Sequence, residues 1–123
     1  MNIGSNVGRA VAPGFVAYAT AKSALCSLTE LLAQDFAPKV RVNAVLPGPT
    51  RSGTIAAVLE GDADGAIEAM MASRNPLERI AEPEDIAAAV LFRVSPEASF
   101  VSGEILGVTG AQQHAAPMPR AEP

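Results

Sequence analysis

VRVNAVLPG, residues 40–48, decides how the rest of the chain is arranged. A short Val-rich run, residues 40–46, closed by Pro47-Gly48, predicts a buried strand followed by a sharp turn. Directly before it, residues 15–36 contain neither Gly nor Pro, are rich in Ala and Leu, and stop ahead of Pro38. That pattern predicts one long helix, because a proline cannot continue it. Further upstream, Ile3 is followed at once by Gly4 and Ser5. Residues 1–5 therefore read as the end of another strand, and residues 6–14, with Gly8, Pro13 and Gly14, as a loop. A strand, a helix and a second strand imply a parallel pair joined by a right-handed crossover.

Downstream, residues 47–54 (PGPTRSGT) form a loop, and residues 55–72 read as one or two short helices broken near residues 61–65. Asn75-Pro76 opens a further loop. Glu82-Pro83-Glu84-Asp85 is a helix start: proline suits the first helical position, and acids in the first turn meet the positive end of the helix dipole. That helix runs to about Val94, a turn follows at Ser95-Pro96, and residues 104–108 (EILGV) make a last strand. Residues 111–123, with four Ala, three Pro and no apolar period, read as a disordered tail after a domain spanning residues 1–110. The fold class is α/β, the second half of a doubly wound parallel sheet. Three strands do not complete such a sheet. The expectation is that Met1 stands in the middle of a central strand and that an N-terminal half is missing.

Composition narrows the function. The chain has 123 residues, 49 % of them apolar, enough for one small globular domain. Its net charge of −4, without a basic cluster, argues against nucleic acid and against an anionic membrane surface. No apolar run reaches the length of a membrane span, and the first residues lack the pattern of a secretory leader. The cytoplasm is the expected compartment. Cys26 is the only cysteine, which excludes an internal disulfide.

Two residues on the long helix stand out. Tyr18 and Lys22 are four apart, so they share one face. A phenol titrates near ~10 and is a poor proton shuttle at neutral pH. A neighbouring ammonium favours the phenolate and brings such a group into range for proton transfer to an alkoxide or from an alcohol. Ser5 lies thirteen residues before Tyr18, at a strand end. The carboxyl edge of a parallel sheet is where such sheets bind ligands, and a serine there can hold a substrate carbonyl against the tyrosine. The same helix carries Ala17, Tyr18, Ala21, Leu25, Leu28, Leu31 and Leu32 around most of its circumference. A helix of that kind is buried on more than one side, here on a sheet and against another helix, as in a homo-oligomer.

The stretches NIGSNVGRAVAPGFVAYATAKSAL and VRVNAVLPGPTRSGT resemble the C-terminal half of a short-chain dehydrogenase/reductase. NPLERIAEPEDIAAAVLF and FVSGEILGVTG are similar to that family's later segments, so the resemblance runs from Met1 to about Gly110. It implies a Rossmann-like fold whose N-terminal cofactor-binding half is absent, and an NAD- or NADP-dependent oxidoreductase that reduces carbonyls or oxidises secondary alcohols. It implies that Ser5 orients a small-molecule substrate, that Tyr18 is the acid/base, and that Lys22 assists Tyr18 and binds the nicotinamide ribose. Pro47, Gly48, Thr50 and Ser52 become cofactor-binding candidates, Ser52 standing where the family often has Thr. Two departures count. Thr109, Gly110 and Ala111 replace an acidic residue and two glycines, and neither Gly4 nor Gly8 belongs to a G-x-G-x-x-G turn. The residues that would select NAD over NADP lie in the missing half. The chain by itself is therefore expected to be catalytically incomplete. The alternative reading is a non-catalytic fragment, or an interaction module working through residues 15–36.

The remaining reactive side chains have simpler readings. Cys26, between Leu25 and Leu28, is a core residue. His114 is solvated in the tail, and Glu82, Glu84 and Asp85 are helix-start charges rather than metal ligands. Met70 and Met71 pack a helix or line an apolar substrate wall. Arg51 could meet a cofactor phosphate or an acidic substrate, but a solvated loop charge is the preferred reading.

Overall fold

The structure, a computed structural model, describes residues 1–10 and 13–112. Strand β1 (Asn2–Ile3) is followed by a short 3-10 turn (Asn6–Gly8) and helix α1 (Val16–Asp35). Next come β2 (Ala44–Pro47), α2 (Gly53–Glu60), α3 (Ala66–Ser73) and α4 (Pro83–Val94), then a second 3-10 turn (Pro96–Ala98) and β3 (Ile105–Val108). The three strands form one parallel sheet in the order β1-β2-β3. Ala44 and Val45 pair with Asn2 and Ile3 on one side, and with Ile105 and Leu106 on the other. The α/β class and the parallel pairing expected from the sequence are both present. Of the predicted tail, Ala111 and Gln112 form a turn, with the Gln112 N–H donating to the Thr109 carbonyl; the rest lies outside the described residues.

The second strand is shorter than its valines predict. Residues 40–43 fall outside the strand although the Val42 and Asn43 carbonyls still accept from the Gly103 and Asn2 N–H groups, because the Val40 N–H turns back to the Phe36 carbonyl. The Val42 N–H donates to Ser102 Oγ, and the Asn43 amide both donates to the Val101 carbonyl and accepts from the Glu104 N–H. Side-chain bonds of this kind compete with ladder pairing.

β2 is the centre of the core. Ala44 and Leu46 cluster with Ile105 and with Cys26 of α1, which confirms the core reading of Cys26. Val45 points to the opposite face and is also fully buried, so both faces of this strand are covered. α4 packs against β2 and β3. α1 buries only Cys26, Thr29 and Ala33, a stripe at helical spacing. Thr29 is satisfied at depth: its hydroxyl donates to the Leu25 carbonyl and accepts from the Asn2 amide. Leu28 and Leu31 on the same helix remain exposed. The described residues thus cover α1 on one side only. Among them, no helix is long and apolar enough to cross a membrane.

α4 starts as its sequence predicts. Pro83 occupies the first turn, and Glu82 and Asp85 form a reciprocal capping box. Arg79 binds both oxygens of Asp85. Those Arg79 bonds first, and then the Glu82 N–H, hold the Asp85 carboxyl down at about 2. At the far end, the Arg41 guanidinium accumulates four carbonyl acceptors, those of Arg93, Val94, Ser95 and Val101. It therefore closes the carboxyl end of α4, where orphan carbonyls gather.

Candidate active site

Ser5 lies just beyond the carboxyl end of β1 and is 9 % exposed. Its extended backbone lets the side chain cap the turn that follows, with Oγ accepting from the Val7 N–H at 3.3 Å. The hydroxyl proton has only a long contact, 3.5 Å, to Asn6 Oδ1. A bond at that length is marginal, so the proton remains available to a better acceptor.

Helix α1 brings Tyr18 and Lys22 together and ties them to β1. The Lys22 ammonium sits 5.7 Å from the centroid of the Tyr18 ring and donates to the Ile3 carbonyl at 3.0 Å. Ile3 is two residues before Ser5, so one cation spans the strand end and the tyrosine. Gly8 makes this approach feasible: a Cβ there would stand 2.8 Å from the Lys22 carbonyl carbon. The Ser23 hydroxyl also donates to the Gly8 carbonyl, fastening the turn to α1 one residue past Lys22. The Tyr18 ring meets Phe15 edge-on with centroids 6.4 Å apart. Tyr18 is 47 % exposed, and among the described residues its hydroxyl has no hydrogen-bond partner. Ser5 and Tyr18 make no direct hydrogen bond; they are related through Lys22 and Ile3.

The loop after β2 forms a second edge at the same, carboxyl end of the sheet. Pro47 ends the strand, and the Gly48 N–H donates to the Val108 carbonyl. A side chain at Gly48 would press on the Thr109 backbone at 3.0 Å, so only glycine fits without displacement. Thr50 is buried and donates to the Gly48 carbonyl, while its backbone bridges to Ala81. Ser52 is exposed at the start of α2, with no capping bond from its side chain. Of the two loop hydroxyls, Ser52 is therefore the open one.

Arg51 is not a free solvated charge as the sequence implied. Its guanidinium pairs with Glu68 of α3 and, at 3.1 Å, with Glu82 before α4. Hydrogen bonds to Glu68, then to Glu82, push its pKa further up. The loop is thereby joined to α3 and to the start of α4. Asp62 holds the start of α3 by accepting the Glu68 and Ile67 N–H groups, in that order of effect, and these bonds keep its carboxyl below the usual range.

Asn75, expected only to open a loop with Pro76, is a structural anchor. It is 5 % exposed, donates to the Thr109 carbonyl and accepts from the Leu77 N–H. It packs so closely on Gly110 that a Cβ there would overlap its amide. A buried, bidentate asparagine carries no sequence signal beyond the loop residues around it.

Three comparisons bear on this geometry. Residues 1–110 match the family model described as Enoyl-(Acyl carrier protein) reductase. An uncharacterized oxidoreductase of Mycobacterium tuberculosis is 44 % identical over 110 residues, covering 89 % of this chain and 41 % of that protein. The ligand-free aldohexose dehydrogenase of Thermoplasma acidophilum superposes with a TM-score of 0.83 at 30 % identity, over 99 % of this chain and 49 % of that one. An NADPH-bound short-chain oxidoreductase of Pseudomonas aeruginosa, described as containing an atypical catalytic center, gives a TM-score of 0.80 at 32 % identity, over 89 % of this chain and 43 % of that one. The chain spans less than half the length of each of these three proteins.

Proposed function

The chain belongs to the short-chain dehydrogenase/reductase family, and from that premise we propose that it carries the acid/base half of an NAD(P)-dependent oxidoreductase acting on a carbonyl/secondary alcohol pair. The observation that supports this most is the position of Lys22, whose ammonium reaches both the Ile3 carbonyl and the face of Tyr18. In the reductive direction, Tyr18 gives its hydroxyl proton to the substrate oxygen as negative charge develops there. Ser5 donates a second hydrogen bond to that oxygen and holds it in place. Lys22 stabilises the phenolate left behind. In oxidation the same proton returns to Tyr18.

The nicotinamide cofactor, NAD or NADP, supplies the hydride when bound. The residues that would hold its nicotinamide end are Tyr18, Lys22, Pro47, Gly48, Thr50 and Ser52. The fit rests on the half-buried Pro47-Gly48 turn at the carboxyl edge of the sheet and on the exposed Ser52 hydroxyl. These 123 residues contain no G-x-G-x-x-G turn. By themselves they should bind NAD(P)H weakly and turn over little substrate. The exposed Leu28 and Leu31 on α1 support a homo-oligomer, and the cytoplasm is the compartment we propose.

The deciding experiment is Tyr18→Phe in a protein that joins this chain to a dinucleotide-binding half. Turnover of a ketone with NADPH or NADH should fall by about 10²–10⁴, with circular dichroism unchanged. Activity retained at saturating ketone would end the assignment.

A further inference from the structure

The opposite, amino end of the sheet holds a cleft that the proposed chemistry does not use. Lys39, Arg41, Asn43 and Arg93 line it, with Val40, Val94 and Met1 completing its wall, and no acidic residue is among them. Two of these polar groups are already committed. Arg41 is spread over four backbone carbonyls, and both ends of the Asn43 amide are bonded. Arg93 is not. It comes from the last turn of α4, is 7 % exposed, and its Nε is buried without a hydrogen-bond partner. Its guanidinium forms no ion pair among the described residues.

Burying an unpaired cation is costly, and a second guanidinium beside it adds repulsion. The backbone carbonyls at the end of α4 answer Arg41, and none of them accepts from Arg93 Nε. Lys39 stands exposed at the rim, and the charge of the whole cleft is positive. A planar guanidinium with an unpartnered Nε–H is matched by a two-oxygen acceptor that spans Nε and a neighbouring Nη.

We propose that this cleft is a binding site for a small oxyanion of the phosphate or carboxylate class, held bidentately by Arg93 with Lys39 closing over it. The site is independent of the reductase reading. It lies at the strand ends remote from Ser5 and Gly48, and it would persist if the acid/base assignment failed.

The test follows the arginine Nε–H resonances of the 123-residue chain by ¹H–¹⁵N NMR as inorganic phosphate, and separately acetate, is added. The Arg93 signal, identified by its loss in Arg93→Lys, should shift saturably with a midpoint of about 1–10 mM, while the Arg41 signal moves little. Arg93→Leu should abolish phosphate binding by calorimetry, and in phosphate-free buffer it should melt higher than the parent because an unpaired buried charge has gone. Lys39→Ala should weaken binding by about threefold. An Arg93 signal that does not respond to either anion up to about 100 mM overturns the site. So does a signal that responds to protein concentration and not to anion, since the acceptor would then be a group on a second copy. Should Arg93→Leu fail to fold, the parent titration alone still decides.

Discussion

Helices α1 and α4 both connect strands of one sheet, yet they are held by opposite means. α4 has twelve residues, and its start is specified by nearby residues: Pro83 in its first turn, the Glu82–Asp85 capping box and the Arg79 pair; the Arg41 guanidinium, from before β2, closes its last carbonyls. α1 has twenty residues and none of these devices. Phe15 precedes it without a side-chain cap, and it has no acid in its first turn or base in its last. Its fixed points are the buried stripe Cys26, Thr29 and Ala33 and the turn at Gly8. The helix with fewer local signals carries the proposed chemistry. A helix positioned by its neighbours can place a side chain relative to another element, which a helix whose start is fixed by local caps need not do.

The largest effect that would test this contrast comes from α1. Lys22→Ala, assayed in a protein that turns over a ketone, should cost about 10² or more in kcat/KM, because the phenolate loses its cation. Its melting temperature should move little, since the ammonium bonds only one exposed carbonyl. Next is the clamp on α4. Arg41→Ala strands several carbonyls at once and should destabilise the chain by about 2–3 kcal/mol in urea titrations. If it matched Lys22→Ala in stability, the two helices would not differ as described.

The Asp85 pair gives a smaller, pH-dependent effect. Its folded pKa is depressed to about 2 from an ordinary 3.8, chiefly by Arg79. The stabilisation is therefore fully present above the ordinary value and is lost as pH falls toward 2. Asp85→Asn should lower the melting temperature at pH 7 and converge with the parent near pH 2; a constant gap across that window would exclude this account. The smallest effect on stability belongs to Leu31→Glu, which removes an apolar side chain from an exposed face. The monomer should change by less than about 0.5 kcal/mol, whereas sedimentation velocity should show weaker self-association. An unchanged sedimentation profile would remove α1 as the contact.

The elements most legible in the sequence were those whose signals are local. Pro83 with its acids marked α4, Pro38 marked the end of α1, and Pro47-Gly48 marked the carboxyl end of β2. The Tyr18–Lys22 pair was legible because four residues of helix place two side chains on one face. The shortening of the second strand was not: Val40 and Val42 favour a strand, but the Val40 N–H is taken by the Phe36 carbonyl and the Val42 N–H by the Ser102 hydroxyl. Arg51 looked like a solvated charge because its partners, Glu68 and Glu82, are seventeen and thirty-one residues away.

The sequence by itself determined the α/β order, the parallel pairing and the spacing of Ser5, Tyr18 and Lys22, because periodicity, caps and turns act over a few residues. Only the tertiary structure decided that Lys22 reaches the Ile3 carbonyl, that Asn75 locks Thr109 and that Arg93 is buried without an acceptor. Each of those depends on which backbone comes within about 3 Å of which side chain, and that is settled when strands and helices distant in the chain pack together.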